Sequence, residues 1–157
     1  MKHANDLKAK RILPLELNHS WPIYEQSRQF DLGHVLNSTA IDLIAPPAVG
    51  NLAMHHAGCW ECDLTDQSLI WSGGVYDIFG LPRGVEVSRD EAVSFYCEES
   101  RAAMERLRAH AIKHNRGFTI DVKIQAAIGE HRWVRLIGAP VYRDGQPVRL
   151  HGLKLII

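Results

Sequence analysis

Gly58-Cys59-Trp60-Glu61-Cys62-Asp63-Leu64 is followed, after Thr65-Asp66-Gln67, by Ser68-Leu69-Ile70-Trp71-Ser72. Each run is short, rich in aromatic and apolar residues, and separated from the other by turn-forming residues, which is the pattern of a two-stranded hairpin. Gly73-Gly74 then hands the chain to a short helix over Val75-Tyr76-Asp77-Ile78-Phe79, which Gly80 and Pro82 terminate. The chain therefore enters its folded part as strand, strand, helix.

Working outward from this start, Ser88 with Glu91 three residues on forms a capping-box pattern and begins a second short helix through Tyr96. Ser100 is the expected cap of a longer helix, in which Ala103, Leu107 and Ala111, joined by His110 and His114, recur at spacings of three and four while Arg101, Glu105, Arg106, Arg108 and Lys113 lie mostly elsewhere. Gly117 stands where a left-handed helix cap is expected. Over Phe118-Thr119-Ile120-Asp121-Val122-Lys123-Ile124 the period switches to two, so Phe118, Ile120, Val122 and Ile124 face inward from a half-buried strand. Turns at Gly129-Glu130 and Asp144-Gly145 lead into His131 to Gly138 and Val148 to Ile157, giving a three-strand meander.

Upstream, the chain divides near Pro46-Pro47. Residues 1–50 are too apolar for a free tail and too short for a core of their own, and with Pro14 and Pro22 breaking a weak periodicity they read as a mostly helical extension packed on the domain of residues 51–157. At 157 residues the chain suits one domain with an extension, which buries about two-thirds of its unfolded surface without staples. Lys plus Arg equals Asp plus Glu at 18 each, so no net field draws nucleic acid or an anionic membrane. No apolar run approaches the roughly 20 residues of a membrane span, and the first residues lack the core of a secretory signal. Three cysteines, an odd number, argue against a disulfide framework, and the expected location is cytoplasmic.

In order and spacing, Trp60-Glu61-Cys62-Asp63, Trp71-Ser72, Ile78-Phe79-Gly80-Leu81-Pro82, Arg132-Trp133-Val134 and Asp144-Gly145-Gln146 together resemble the PAS family, in the branch with C-terminal PAC strands. The resemblance covers residues 55–157. It implies an α+β fold with a five-stranded antiparallel sheet in spatial order 2-1-5-4-3, with short helices and one long helix over one face and a small-ligand cavity between. Two departures stand out: Tyr96-Cys97-Glu98-Glu99-Ser100-Arg101 replaces the His-Pro-Glu-Asp-Arg of many relatives, and Leu155-Ile156-Ile157 replaces a terminal Asp-Ile-Thr. The usual output junction is absent or altered, which leaves open a stand-alone sensor or a chain that ends at the junction.

On this reading the cavity is lined by Phe118, Ile120, Val122, Ile124, Val134, Leu136 and Leu150, with Trp60 or Cys62. Lys154 is the odd residue, because counting Val148, Leu150 and Gly152 inward places it on the same face. A buried ammonium is costly unless paired, so it calls for an anionic ligand or a carboxylate neighbour, and a bulge near the strand end that returns it to solvent is the alternative. The opposite face carries an apolar stripe of Trp133, Ile137, Leu153, Leu155 and Ile157, which needs a cover from the N-terminal segment, a second copy of the chain, or both.

His55, His56, Cys59 and Cys62 form a weak metal set, because strand spacing sends Cys59 and Cys62 to opposite faces. Haem-binding PAS modules are similar in carrying an axial histidine on the long helix, which makes His110 and His114 the positions to check, against the plain reading that both are partly exposed helix residues. The Asn-Cys-Arg run of flavin photoreceptors is missing around Cys97. No catalytic constellation, metal site or cofactor is assigned. The expected function is a non-enzymatic PAS sensory module that binds a small ligand or partner and signals as a homodimer to a downstream protein or effector, with no direct contact to nucleic acid or membrane. A ligand-free interaction module is the main alternative; a haem sensor and a small enzyme are the remaining ones.

Overall fold

The computed structural model describes residues 17–31 and 57–157. In chain order these form β1 (Asn18–Pro22), a 3-10 turn (Ile23–Glu25), α1 (Gln26–Gln29), β2 (Ala57–Asp63), β3 (Leu69–Trp71), α2 (Gly73–Phe79), α3 (Arg89–Ser94), α4 (Glu98–His114), β4 (Arg116–Gln125), β5 (His131–Arg143) and β6 (Gln146–Ile156). All six strands join one antiparallel sheet in the order β1-β4-β5-β6-β2-β3. The last five follow the order implied by the family resemblance; the sixth strand, β1, was not expected.

The hairpin forms as its residues dictate. Trp60 pairs with Trp71 and Cys62 with Leu69, and the turn is closed by Asp63 and Asp66 side chains that accept from the backbone N–H groups of Thr65 and Ser68. Gly80 adopts φ of +70° as the left-handed cap of α2, a conformation that costs glycine nothing. The Ser88–Glu91 capping box is complete at the start of α3.

Three local readings need correction. The cap of α4 is Asn115, at φ of +51°, and not Gly117. Gly117 lies within β4 opposite Trp21, where an added Cβ would stand 2.1 Å from the indole ring. The first turn of α4 begins at Glu98 behind Cys97, and Ser100 instead accepts a hydrogen bond from the Lys123 backbone N–H.

The third correction concerns the N-terminal segment. Its described part, residues 17–31, contains a strand before one 3-10 turn and a four-residue helix, so the mostly helical expectation fails there. Pro22 reads as a breaker in sequence, yet it closes a strand at the edge of the sheet, where a residue without N–H is tolerated. The rest of the expected extension lies outside the described residues.

Two apolar clusters sit on opposite faces of the sheet. The inner one packs Trp60, Trp71, Phe118, Ile120, Val122, Ile124, Val134, Leu136 and Leu150 against α2, α3, the α3–α4 junction and α4 through Val75, Phe79, Ala92, Tyr96, Met104 and Ala111. The outer one joins Ile137, Ala139 and Leu155 to Trp21 and Phe30, with Leu153 and Cys59 at its margin. Trp21 is 2% exposed and donates its indole N–H to Thr119. Asp121, buried beside this cluster, accepts two hydrogen bonds from Arg135 and one from the Leu17 backbone, tying β1 to the sheet. Among the described residues no helix is long and apolar enough to cross a membrane.

Candidate functional site

Lys154 is 6% exposed on the inner face. Its register is undisturbed, with Gly58 on one side and Leu136 on the other, and the irregularity in the β5–β6 ladder falls at Val141/Tyr142 instead. The bulge that would have returned Lys154 to solvent is therefore not at its end of the strand. Strand parity alone carries this ammonium inside.

Four aromatic rings surround Nζ: Phe79 at 4.9 Å, Trp71 at 5.4 Å, Trp60 at 5.5 Å and Tyr96 at 5.9 Å from ring centroid. Each comes from a different element, α2, β3, β2 and the α3–α4 junction, and Trp71 stacks on Phe79 at 4.9 Å to fix two of them. Ring faces attract a cation but offer it no lone pair. Among the described residues no hydrogen-bond acceptor or carboxylate pairs with Nζ. Burial, with a further push from Arg89, lowers the Lys154 pKa to about 7, against a smaller upward pull from Cys62.

A cavity of about 50 Å³ opens beside this amine, bordered by Trp60 and Cys62 of β2, Leu69 and Trp71 of β3, Phe118 and Leu136 of the meander, and Arg89, Tyr96, Met104 and Arg108 from the helical side. Arg89 pairs with Glu105 across α3 and α4. The Arg108 guanidinium donates to the Gln67 carbonyl at 3.0 Å and lies 3.9 Å from the Cys62 sulfur. Burial pushes the Cys62 thiol up despite that guanidinium, which keeps it neutral. The arrangement is an apolar chamber with cationic groups at its walls.

The expected lining residues divide. Trp60, Cys62, Phe118, Leu136 and Lys154 border the cavity, whereas Ile120, Val122, Ile124, Val134 and Leu150 are buried in the inner core without bordering it. Sequence reasoning missed Arg89, Arg108, Tyr96 and Met104. Met104, Arg108 and Ala111 share one face of α4 at spacings of four and three, a signal that the charge on Arg108 masks.

His110 and His114 stand 4.6 Å apart on the exposed side of α4, and neither reaches the cavity. They do not fit as axial ligands of a haem in this chamber, whose α4 wall is Met104 and Arg108 and whose volume is far below that of a porphyrin. Cys59 and Cys62 fall on opposite faces, in the outer and inner clusters, and His55 and His56 lie outside the described residues. Of the outer stripe, Ile137 and Leu155 are buried beside Trp21 and Phe30, while Trp133 and Ile157 remain 37% and 46% exposed.

Comparison with solved structures finds the same fold in other proteins. The N-terminal domain of a diguanylate cyclase with PAS/PAC sensor from Marinobacter aquaeolei is similar with a TM-score of 0.59 and 16% identity, over 64% of this chain and 94% of that one. The LOV domain of a blue-light activated histidine kinase from Erythrobacter litoralis gives 0.54 and 22%, over 64% and 94%. An RNA-binding light-oxygen-voltage receptor gives 0.57 and 12%, over 64% of this chain, which spans only 29% of that receptor. No curated protein matches the sequence. The family model described as PAS fold matches residues 68–153, more than half of the 157 residues, and this chain belongs to that family.

Proposed function

We propose that this PAS domain is a non-enzymatic, cytoplasmic sensor module that takes a small ligand in the chamber beside Lys154 and transmits its occupancy to a partner. The observation that carries this reading is the amine itself: it is buried among four rings and beside open volume, so the site retains an ionisable group that a merely structural core would replace with an apolar one. Ligand in the chamber presses on the inner side of the sheet, and the outer side of the same sheet is packed against Trp21 and Phe30. Transmission is then a shift between packings of the sheet against this cover, read by a second copy docking over Trp133 and Ile157 or by a downstream signalling protein.

Native mass spectrometry of gently purified protein, followed by hydrogen exchange with and without the retained ligand, tests this. A bound small molecule whose removal changes exchange at residues 18–30 is the expected result. Protein that carries no adduct and shows no change at those residues on exposure to cell extract contradicts it.

One observation favours a second reading, in which the module is a ligand-free interaction domain: the chamber holds only about 50 Å³, and the remaining inner face is filled by side chains. The same experiment separates the two.

A further inference from the structure

Three cationic side chains from three different elements, Arg89, Arg108 and Lys154, border one chamber. Glu105 answers Arg89, while the contacts of Arg108 are the neutral Gln67 amide and the Cys62 sulfur. Nζ of Lys154, 6% exposed, meets four ring faces and, among the described residues, no carboxylate or hydrogen-bond acceptor. An ammonium has three N–H donors and an aromatic cage accepts none of them well, so the chamber has donors and positive charge in excess of acceptors.

We propose that the chamber binds a short-chain monocarboxylate, with its carboxylate on Lys154 and its apolar end against Trp60, Met104 and Phe118. This rests on the reading that the chamber is the ligand site. Arg89 is held by Glu105 and Arg108 by Gln67 and Cys62, and apart from these two guanidinium groups the wall is apolar, which suits an anion with one charged end and a hydrocarbon body. A volume of about 50 Å³ matches a few water-sized positions at roughly 10–15 Å³ each, hence a ligand of a few non-hydrogen atoms, of the size of propionate or butyrate.

Binding of this kind is coupled to a proton. The titratable and charged groups that border the chamber with the amine are Cys62 from β2, Arg89 from α3, Tyr96 from the junction and Arg108 from α4, with Glu105 of α4 held on Arg89. Of these, burial pushes both the Cys62 thiol and the Tyr96 hydroxyl up, so neither supplies an anion near neutral pH. With the free amine titrating near 7, at pH 8 it is about nine-tenths neutral. A carboxylate that demands the ammonium form then draws close to one proton from solvent per molecule bound.

Calorimetric titration of the full chain at pH 8 with sodium butyrate and with butyramide, in two buffers of different ionisation enthalpy, tests the inference. Indole N–H shifts of Trp60 and Trp71 are followed by NMR in parallel. Butyrate is expected to bind at least tenfold tighter than butyramide, to take up close to one proton, and to lose at least tenfold in affinity in Lys154→Met. Equal binding of butyrate and butyramide with both indoles shifting overturns the carboxylate assignment and leaves the ligand chamber standing. Butyrate binding without proton uptake and with undiminished affinity in Lys154→Met overturns it. If neither compound moves the indoles, the assignment and the chamber reading fall together.

Discussion

Lys154 shows how one residue sets the chemistry of a whole core. Its position on the inner face follows from counting by twos from Leu150, because a strand that keeps its register keeps its parity. Its surroundings do not follow from any count: the four rings arrive from four separate elements, and only the folded sheet brings them within 6 Å. A folded-state pKa near 7 against an unfolded value of 10.5 means the unfolded chain binds more protons between those limits. The contribution of this group to stability is thus full above about pH 10.5 and lost as pH falls toward 7. At about 1.4 kcal/mol per unit, the full shift is on the order of 5 kcal/mol. Lys154→Met removes that penalty, so the variant unfolds at higher urea than wild type at pH 7, and the gap narrows at pH 9.5. A gap that stays constant with pH would contradict this assignment. Gly117 is the second residue with a sharp consequence: Gly117→Ala drives a methyl into the Trp21 ring and costs roughly 1–3 kcal/mol, measured as a fall in urea midpoint at unchanged slope.

At the scale of elements, the hairpin and β4 were readable because their signals are local. Trp60 and Cys62 alternate with Glu61 and Asp63, the second strand is a short apolar run after turn residues, and Phe118 to Ile124 alternate without a break. β1 was not readable, because five residues ending in Pro22 carry little alternation and their pairing partner lies about a hundred positions downstream. What holds β1 is tertiary: Trp21 seated over Gly117, its N–H on Thr119, and the Asp121 carboxylate receiving both Leu17 and Arg135. Trp21→Ala is expected to cost roughly 3–5 kcal/mol in urea unfolding and to raise hydrogen exchange across 18–30 first. The same cover is sensitive to acid. Burial beneath Gln26 and Phe30, with Arg149 adding to it, depresses the His151 pKa from 6.5 to about 4, so the neutral ring belongs to the folded state. The stability it contributes is present above pH 6.5 and is lost as pH falls toward 4. His151→Gln should therefore lose less melting temperature than wild type between pH 7 and pH 5, and an identical loss in both would rule the ring out as a cause.

For the molecule as a whole, the order of the five family strands was legible from the hairpin, the meander and their resemblance to the PAS fold, while the function written into the fold was not. The two faces of one sheet divide the work: the inner face forms a cationic, aromatic chamber and the outer face carries a short cover that leaves Trp133 and Ile157 open. If a second copy completes that outer face, light scattering shows a dimer that Trp133→Glu converts to monomer without unfolding it; monomer alone at high concentration removes the dimer from the account. All of this turns on the state of one amine. NMR titration of the Lys154 side chain in protein labelled with 13C-lysine, its signal assigned by its absence from Lys154→Met, tests that state directly. The account predicts a midpoint near 7 that moves upward when butyrate is added, and a midpoint near the ordinary 10.5 that ignores butyrate would contradict it.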